Sequence, residues 1–174
     1  MNKYLVLIFI TGALAGCASP PVAKVPMKNG WNPNEVVWSI GDGTATLTGS
    51  AALLTKGGDV KTCATRVVTL TPFSTYSAER IARIYGNTWK GFSDRGDPTL
   101  PERYYEATRK DRTTTCDGQG NFIFENLPAG DYFVITGVSW QTPTSYGGLS
   151  MQGGVLMIQV KLETGKTKKV VLSP

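Results

Sequence analysis

The stretch that decides the fold is TTCDGQGNFIFENLPAGDYFV, residues Thr114–Val134. Asp117-Gly118 and Gly120 form a tight turn of residues that tolerate positive φ. Phe122 and Phe124 stand two residues apart, so they share one face of a strand and bury together. Leu127-Pro128-Ala129-Gly130 then reverses the chain, because proline fixes φ and glycine lifts the steric bar at the corner. Tyr132 and Val134 resume the two-residue alternation. A turn, a one-faced strand, a corner and a second one-faced strand describe sheet packed over a core.

The same alternation extends outward. Ala45, Leu47, Gly49, Ala51 and Leu53 share a face with small residues at its centre. Val67–Thr71 is rich in β-branched residues and stops at Pro72, while Tyr104–Thr115 reads as a long, polar, exposed strand. Val138 and Trp140 keep the parity of Tyr132 and Val134. Leu156, Ile158, Val160 and Leu162 form another face, and Val170 and Leu172 close the chain. About seven short strands separated by turn signals predict an all-β sandwich. One helix interrupts them. Ala78, Ile81, Ala82 and Tyr85 recur at helical spacing, Gly86 ends the run, and Thr75 or Ser77 is placed to cap it. It is expected across one end or edge of the sandwich.

With these residues in view, Thr114–Val134 resembles the carboxypeptidase regulatory-like domain, a transthyretin-like Greek-key β-sandwich. The family's turn, aromatic strand, apolar-Pro-x-Gly corner and Tyr-led strand all have counterparts here, and the resemblance covers roughly residues 43–172. It implies a non-catalytic module. The segment Phe73–Arg103 is longer than the family's usual connection and reads as an insertion.

Composition narrows the function. The 174 residues suffice for one core. There is no histidine, which removes the commonest general base and the favourite zinc ligand together. The formal charge of +5 is scattered, with one tight cluster at Lys166, Lys168 and Lys169, so no nucleic-acid partner is expected. Asp94, Asp97, Glu102 and Glu106 read as exposed loop charges rather than a catalytic pair. Asp117–Asn121 lacks the oxygen ligands of a calcium loop and reads as a hairpin turn. No metal and no cofactor are expected, and the protein is read as no enzyme.

At the N-terminus, Met1-Asn2-Lys3 is a positive start, Tyr4–Leu14 is apolar, and Leu14-Ala15-Gly16-Cys17 follows. Residues 1–16 read as a signal peptide, too short and too glycine-rich at its end to span a membrane. Leu14-Ala15-Gly16-Cys17 resembles the lipobox of bacterial lipoproteins. That resemblance implies cleavage before Cys17, diacylglycerol on its sulfur and a membrane partner through lipid. Ala18 in place of Asp implies transfer to the outer membrane of a two-membrane bacterium. Residues 17–40, with Pro20, Pro21, Pro26 and Pro33, read as a flexible tether, with Trp31 and Trp38 covering an edge of the domain. The domain proper is 41–174. With Cys17 acylated, Cys63 and Cys116 remain in a compartment that permits disulfides, and are expected to pair; two free buried thiols are the alternative.

The candidate partner contacts are Tyr76, Tyr85, Trp89 and Phe92 in the insertion, and Tyr146 in the loop Gln141–Gly154. Aromatics on loops can anchor a protein or stack on sugar, whereas filling a seam between helix and sandwich is the plainer role. The leading expectation is an envelope lipoprotein presenting loops to a protein partner. A glycan-binding module is the alternative.

Overall fold

A computed structural model describes residues 24–95, 97–103, 105 and 110–174. Cys17, the signal peptide, Tyr104 and Glu106 lie outside the described residues.

The protein is an all-β sandwich. Five strands form one sheet: β4 (Val67–Pro72), β5 (Lys90–Ser93), β7 (Arg112–Thr115), β9 (Gly130–Pro143) and β10 (Leu149–Leu162). Their order is β5-β10-β9-β4-β7, every pairing antiparallel. The second sheet is built around β2 (Ala45–Leu54). On one side β11 (Thr167–Leu172) runs parallel to it; on the other lie β8 (Asn121–Leu127) and the short β3 (Val60–Thr62). Ala51 joins these two, donating its N–H to Gly120 and accepting from the N–H of Cys63. The strands β2, β4, β7, β8, β9, β10 and β11 are the seven that alternation predicts, and β5 in the insertion is an addition to them. Only Tyr104–Thr115 falls short, since its strand is confined to Arg112–Thr115 and Arg103 and Tyr105 are helical.

The predicted inward residues meet between the sheets. Leu47, Ala51, Phe122, Phe124, Tyr132, Val134, Val138, Leu156, Val160, Leu162 and Leu172 belong to one buried cluster, with Trp140 and Ile158 partly buried against it. Cys63 and Cys116 form a disulfide with Cα atoms 5.9 Å apart, at the point where β3 and β7 leave their sheets. Asp117–Asn121 is a turn, but the strands it joins lie in different sheets, so it is a corner rather than a hairpin. Asp117 Oδ1 accepts from the backbone N–H groups of Gln119 and Asn121, at 2.9 and 2.8 Å. The chain itself therefore occupies the carboxylate that a calcium loop would use.

The helix α1 (Thr75–Tyr85) is capped by Ser74, not by Thr75 or Ser77. Ser74 Oγ accepts from the Ser77 N–H while Ser77 Oγ accepts from the Ser74 N–H, a reciprocal box in which serine replaces the usual glutamate. Gly86, at φ 77°, ends the helix as predicted. The helix does not lie at an end of the sandwich. Ile81 packs with Phe133 and Met157, which point away from the main core, so α1 covers the outer face of the five-stranded sheet. The alternation requires this: strands with apolar residues on both faces need a second cover.

The tether expectation fails for residues 25–40. Val25–Pro26 is a strand (β1) parallel to β6 (Thr99–Leu100), and Pro33–Ser39 is a 3-10 helix. Trp31 and Val36 join Tyr76 and Tyr105 in a separate buried cluster. The rings meet at 5.7 Å (Trp31–Tyr76), 5.0 Å (Trp31–Tyr105) and 4.7 Å (Tyr76–Tyr105). Two carboxylates fasten the segment to α1. Glu35 accepts from the N–H of Thr75 at the helix start, 2.7 Å away, where an anion is favoured. Glu79 accepts from the N–H groups of Lys28 and Asn29, each at 2.8 Å, and pairs with Arg83. The prolines that suggest a linker instead shape a packed strap.

Candidate functional site

The insertion Phe73–Arg103 builds the only helix flank of the five-stranded sheet among the described residues, and a cavity of about 260 Å³ lies beside it. Its floor is sheet: Thr69 and Thr71 from β4, Ile135 from β9, Val155 from β10 and Ser93 from β5. One wall is the face of α1 carrying Ser77, Arg80, Ile81, Ile84 and Tyr85. The other is formed by Arg95, Asp97, Tyr105 and Asp111. Helical spacing explains the first wall, because positions 77, 80, 81 and 84 fall on one side of a helix.

Arg80 is the organising group. Its Nε and Nη2 donate to Asp97 Oδ2 at 2.9 and 2.5 Å, and Nη1 donates to the Tyr105 hydroxyl at 3.3 Å. Asp97 Oδ1 accepts from both the backbone N–H (2.8 Å) and the hydroxyl (2.5 Å) of Thr99. Burial pushes the Asp97 carboxyl upward. The two bonds from Thr99 and the charge and bonds of Arg80 outweigh it, and the group is held below the usual aspartate value. Burial raises the Tyr85 hydroxyl far above its ordinary value, so it stays protonated. Among the described residues that hydroxyl has no hydrogen-bond partner, and neither has the exposed Arg95 guanidinium. The cavity thus offers a fixed ion pair, spare hydroxyls and the apolar surfaces of Ile84, Ile135 and Tyr85. Among the described residues no group of three His, Cys, Asp or Glu is gathered to hold a metal ion.

The predicted contact residues do not form one surface. Tyr76 is fully buried in the strap cluster and its hydroxyl accepts from the Glu102 N–H, so it is core rather than contact. Tyr85 lines the cavity. Trp89, 73% exposed, stands just before β5. Phe92 borders a shallower groove with Trp140, Asp94, Thr142 and Gln152. Tyr146, 98% exposed, sits at the far turn of β9 and β10. From Leu149, where β10 begins, to Leu156, the partner of Phe92, the strand advances seven residues, roughly 23 Å at 3.3 Å per residue.

The loop Gln141–Gly154 is mostly strand. β9 and β10 stay paired out to Pro143 and Leu149, and only Thr144–Gly148 turns. Gly154 serves close approach: a Cβ there would stand 2.4 Å from the Ser93 carbonyl oxygen and 2.7 Å from the Phe92 ring. Beyond Thr136 and Val155 neither strand pairs with a further strand among the described residues, though Val138 and Trp140 still pack on the core, and past Trp140 the two continue as a two-stranded ribbon.

Sequence reasoning missed Arg80 and misread Asp97. Asp97 is not a free loop charge but one half of a partly buried pair. The available signal was Arg80 itself, a cation on the apolar side of the helix beside Ile81 and Ile84.

No protein-family model and no curated protein matches the chain. Its fold is similar to the crystal structure of a candidate carbohydrate binding protein from Pseudomonas aeruginosa. The TM-score is 0.66 at 19% identity, over 83% of this chain and 97% of that one. At that identity the likeness is one of fold.

Proposed function

We propose that this chain is a non-enzymatic envelope lipoprotein that binds carbohydrate in the cavity beside α1. The observation that carries the reading is the Arg80–Asp97 pair, held in a concave site with spare hydroxyls and a tyrosine beside it. Sugars are recognised by planar charged or amide groups that give and take hydrogen bonds from neighbouring hydroxyls, with an apolar surface against the ring. At about 260 Å³ the cavity is just below the roughly 300–1,000 Å³ of sites for drug-sized ligands, which suits one sugar unit. The solved structure of similar fold, described as a carbohydrate-binding candidate, supports the same reading. So does a chain without histidine, for which binding is the simpler task. Membrane attachment rests on the lipobox-like Leu14-Ala15-Gly16-Cys17, and the outer membrane on Ala18.

The test is retention of glycans on an array by the purified mature domain, followed by calorimetry with the best ligand. Asp97→Asn should weaken binding tenfold or more, in line with the loss of hydrogen bonds to a charged group. Unchanged affinity would count against the site.

A contact with another protein is the second reading, and the projecting ribbon favours it. Its outer edges are unpaired among the described residues, and Leu149 and Met151 are 65% and 61% exposed. Such an edge can accept a further strand.

A further inference from the structure

Ile135 and Val155 in the floor of the cavity belong to the outer face of the five-stranded sheet, the face that α1 covers. The β9–β10 register is unbroken, so two-residue alternation carries that face onward through Gly137 and Ser139 of β9 and Gly153 and Met151 of β10. These four line a second, shallower groove of about 350 Å³ together with Arg66 and Asp94, and Val155 is common to both hollows. They form one trough, elongated along the strands. We infer that it binds a neutral, linear oligosaccharide chain, with one unit in the cavity and the following units over Gly137 and Ser139. The inference rests on the carbohydrate reading above and extends it from a single sugar to a chain.

Gly137 is the most telling position. Glycine weakens a strand interior, and it is found there at a bulge, at a bend, or where a ligand or another backbone comes close. Neighbouring glycines have such a reason within the chain: a Cβ on Gly153 would stand 2.0 Å from the Val138 carbonyl oxygen, and one on Gly154 2.4 Å from that of Ser93. Gly137 has none. Its φ is not positive, its pairing with Val155 is regular, and an added Cβ would meet nothing nearer than the Gly154 oxygen at 3.9 Å. The bare backbone there keeps the trough open where a side chain would dam it.

The walls suit a chain of hydroxyls. Arg66 Nη2 donates to Ser139 Oγ at 2.6 Å, and among the described residues its other guanidinium N–H groups and the exposed Asp94 carboxylate have no partner. Val155 and Met151 are exposed and give apolar surface for the faces of sugar rings. Charge in the lining is balanced: Arg80 pairs with Asp97, and Arg66 and Arg95 stand with Asp94 and Asp111. A lining of donors and acceptors with no excess of either sign matches a neutral glycan better than an anionic one.

The experiment is calorimetry of the purified mature domain with malto-, cello- and chito-oligosaccharides of one to six units, and with oligogalacturonates as an anionic series. In the neutral series that binds, affinity should rise tenfold or more between one unit and three. Gly137→Val places an isopropyl group in the groove and should abolish that rise. Affinity for the single sugar and the melting temperature should stay unchanged, since valine is at home in a strand. Arg66→Ala, at an exposed side chain, should diminish the rise in the same way without touching β9. Equal affinity for one unit and six, or a rise that survives both substitutions, would overturn the extended site and leave the single-sugar reading standing. Tighter binding of oligogalacturonates than of every neutral series would overturn the neutral chain. No affinity for any series, nor for any glycan of the array, would overturn the carbohydrate reading and the extension with it.

Discussion

Arg80 and Asp97 meet across the gap between α1 and the segment that follows β5, with two guanidinium nitrogens on a single carboxylate oxygen. That leaves Asp97 Oδ1 to Thr99 and keeps the pair rigid before any ligand arrives. A prearranged pair loses little entropy on binding, which is why the cavity is the centre of this account.

Acid should loosen the helix flank. The Asp97 and Glu79 carboxyls are both held below their ordinary values of 3.8 and 4.5. A depressed folded-state value means that the stabilisation is present above the ordinary value and is lost as pH falls through the folded one. The melting temperature is expected to decline as pH drops from about 4.5 toward 2. Asp97→Asn with Glu79→Gln should flatten that slope while lowering the neutral-pH plateau. An unchanged slope in the double variant would show that other carboxylates carry it.

Tyr76 and Trp89 separate core from surface. Tyr76→Ala removes a fully buried ring from the strap cluster, and should cost roughly 3–5 kcal/mol by analogy with other buried aromatics. Trp89→Ala, at a residue 73% exposed, should fall within about 0.5 kcal/mol of wild type. Urea unfolding of both variants measures the difference, and similar values would contradict the placement of the strap.

Gly130 is needed by Trp38. A Cβ at that position would stand 2.2 Å from the Trp38 ring, and the backbone has φ 153°. The ring packs edge-on to Tyr132 at 5.1 Å, and the Tyr132 hydroxyl donates to the Pro128 carbonyl at 3.0 Å. Gly130→Ala should therefore destabilise by more than about 1 kcal/mol. Trp38→Ala in the same chain should restore part of the loss, a coupling that a double-mutant cycle reads directly.

The disulfide closes a loop of 53 residues, for which chain entropy suggests roughly 3–4 kcal/mol of stabilisation. Cys63→Ser with Cys116→Ser should lower stability by an amount of that order. Peptide mapping without reductant should recover both cysteines in one linked fragment.

Much of this architecture is legible in the sequence because a strand advertises its buried face locally. Leu47 with Ala51, Phe122 with Phe124, and Tyr132 with Val134 each reveal their side within a few residues, and all reach the core. The helix was legible for the same reason, and Gly86 for a backbone one. Contacts distant in sequence were not. Nothing near Trp31 says that Tyr76 and Tyr105 will enclose it, so its proline-rich surroundings read as linker. Asp97 looks like any loop aspartate until the fold brings Arg80, seventeen residues earlier, to it. The candidate site is built mainly from such distant meetings, which is why less of it than of the fold could be read in advance.

The most direct test of the binding account is nuclear magnetic resonance titration of isotope-labelled mature domain with the best-retained glycan. The Arg80 Nε–H signal and the backbone amides of Tyr85, Asp97 and Thr99 should move together and saturate with one affinity. Shifts confined to the Trp140 indole, Gln152 and the ribbon, with the Arg80 signal unmoved, would contradict the account and place binding in the groove beside Phe92 and Trp140.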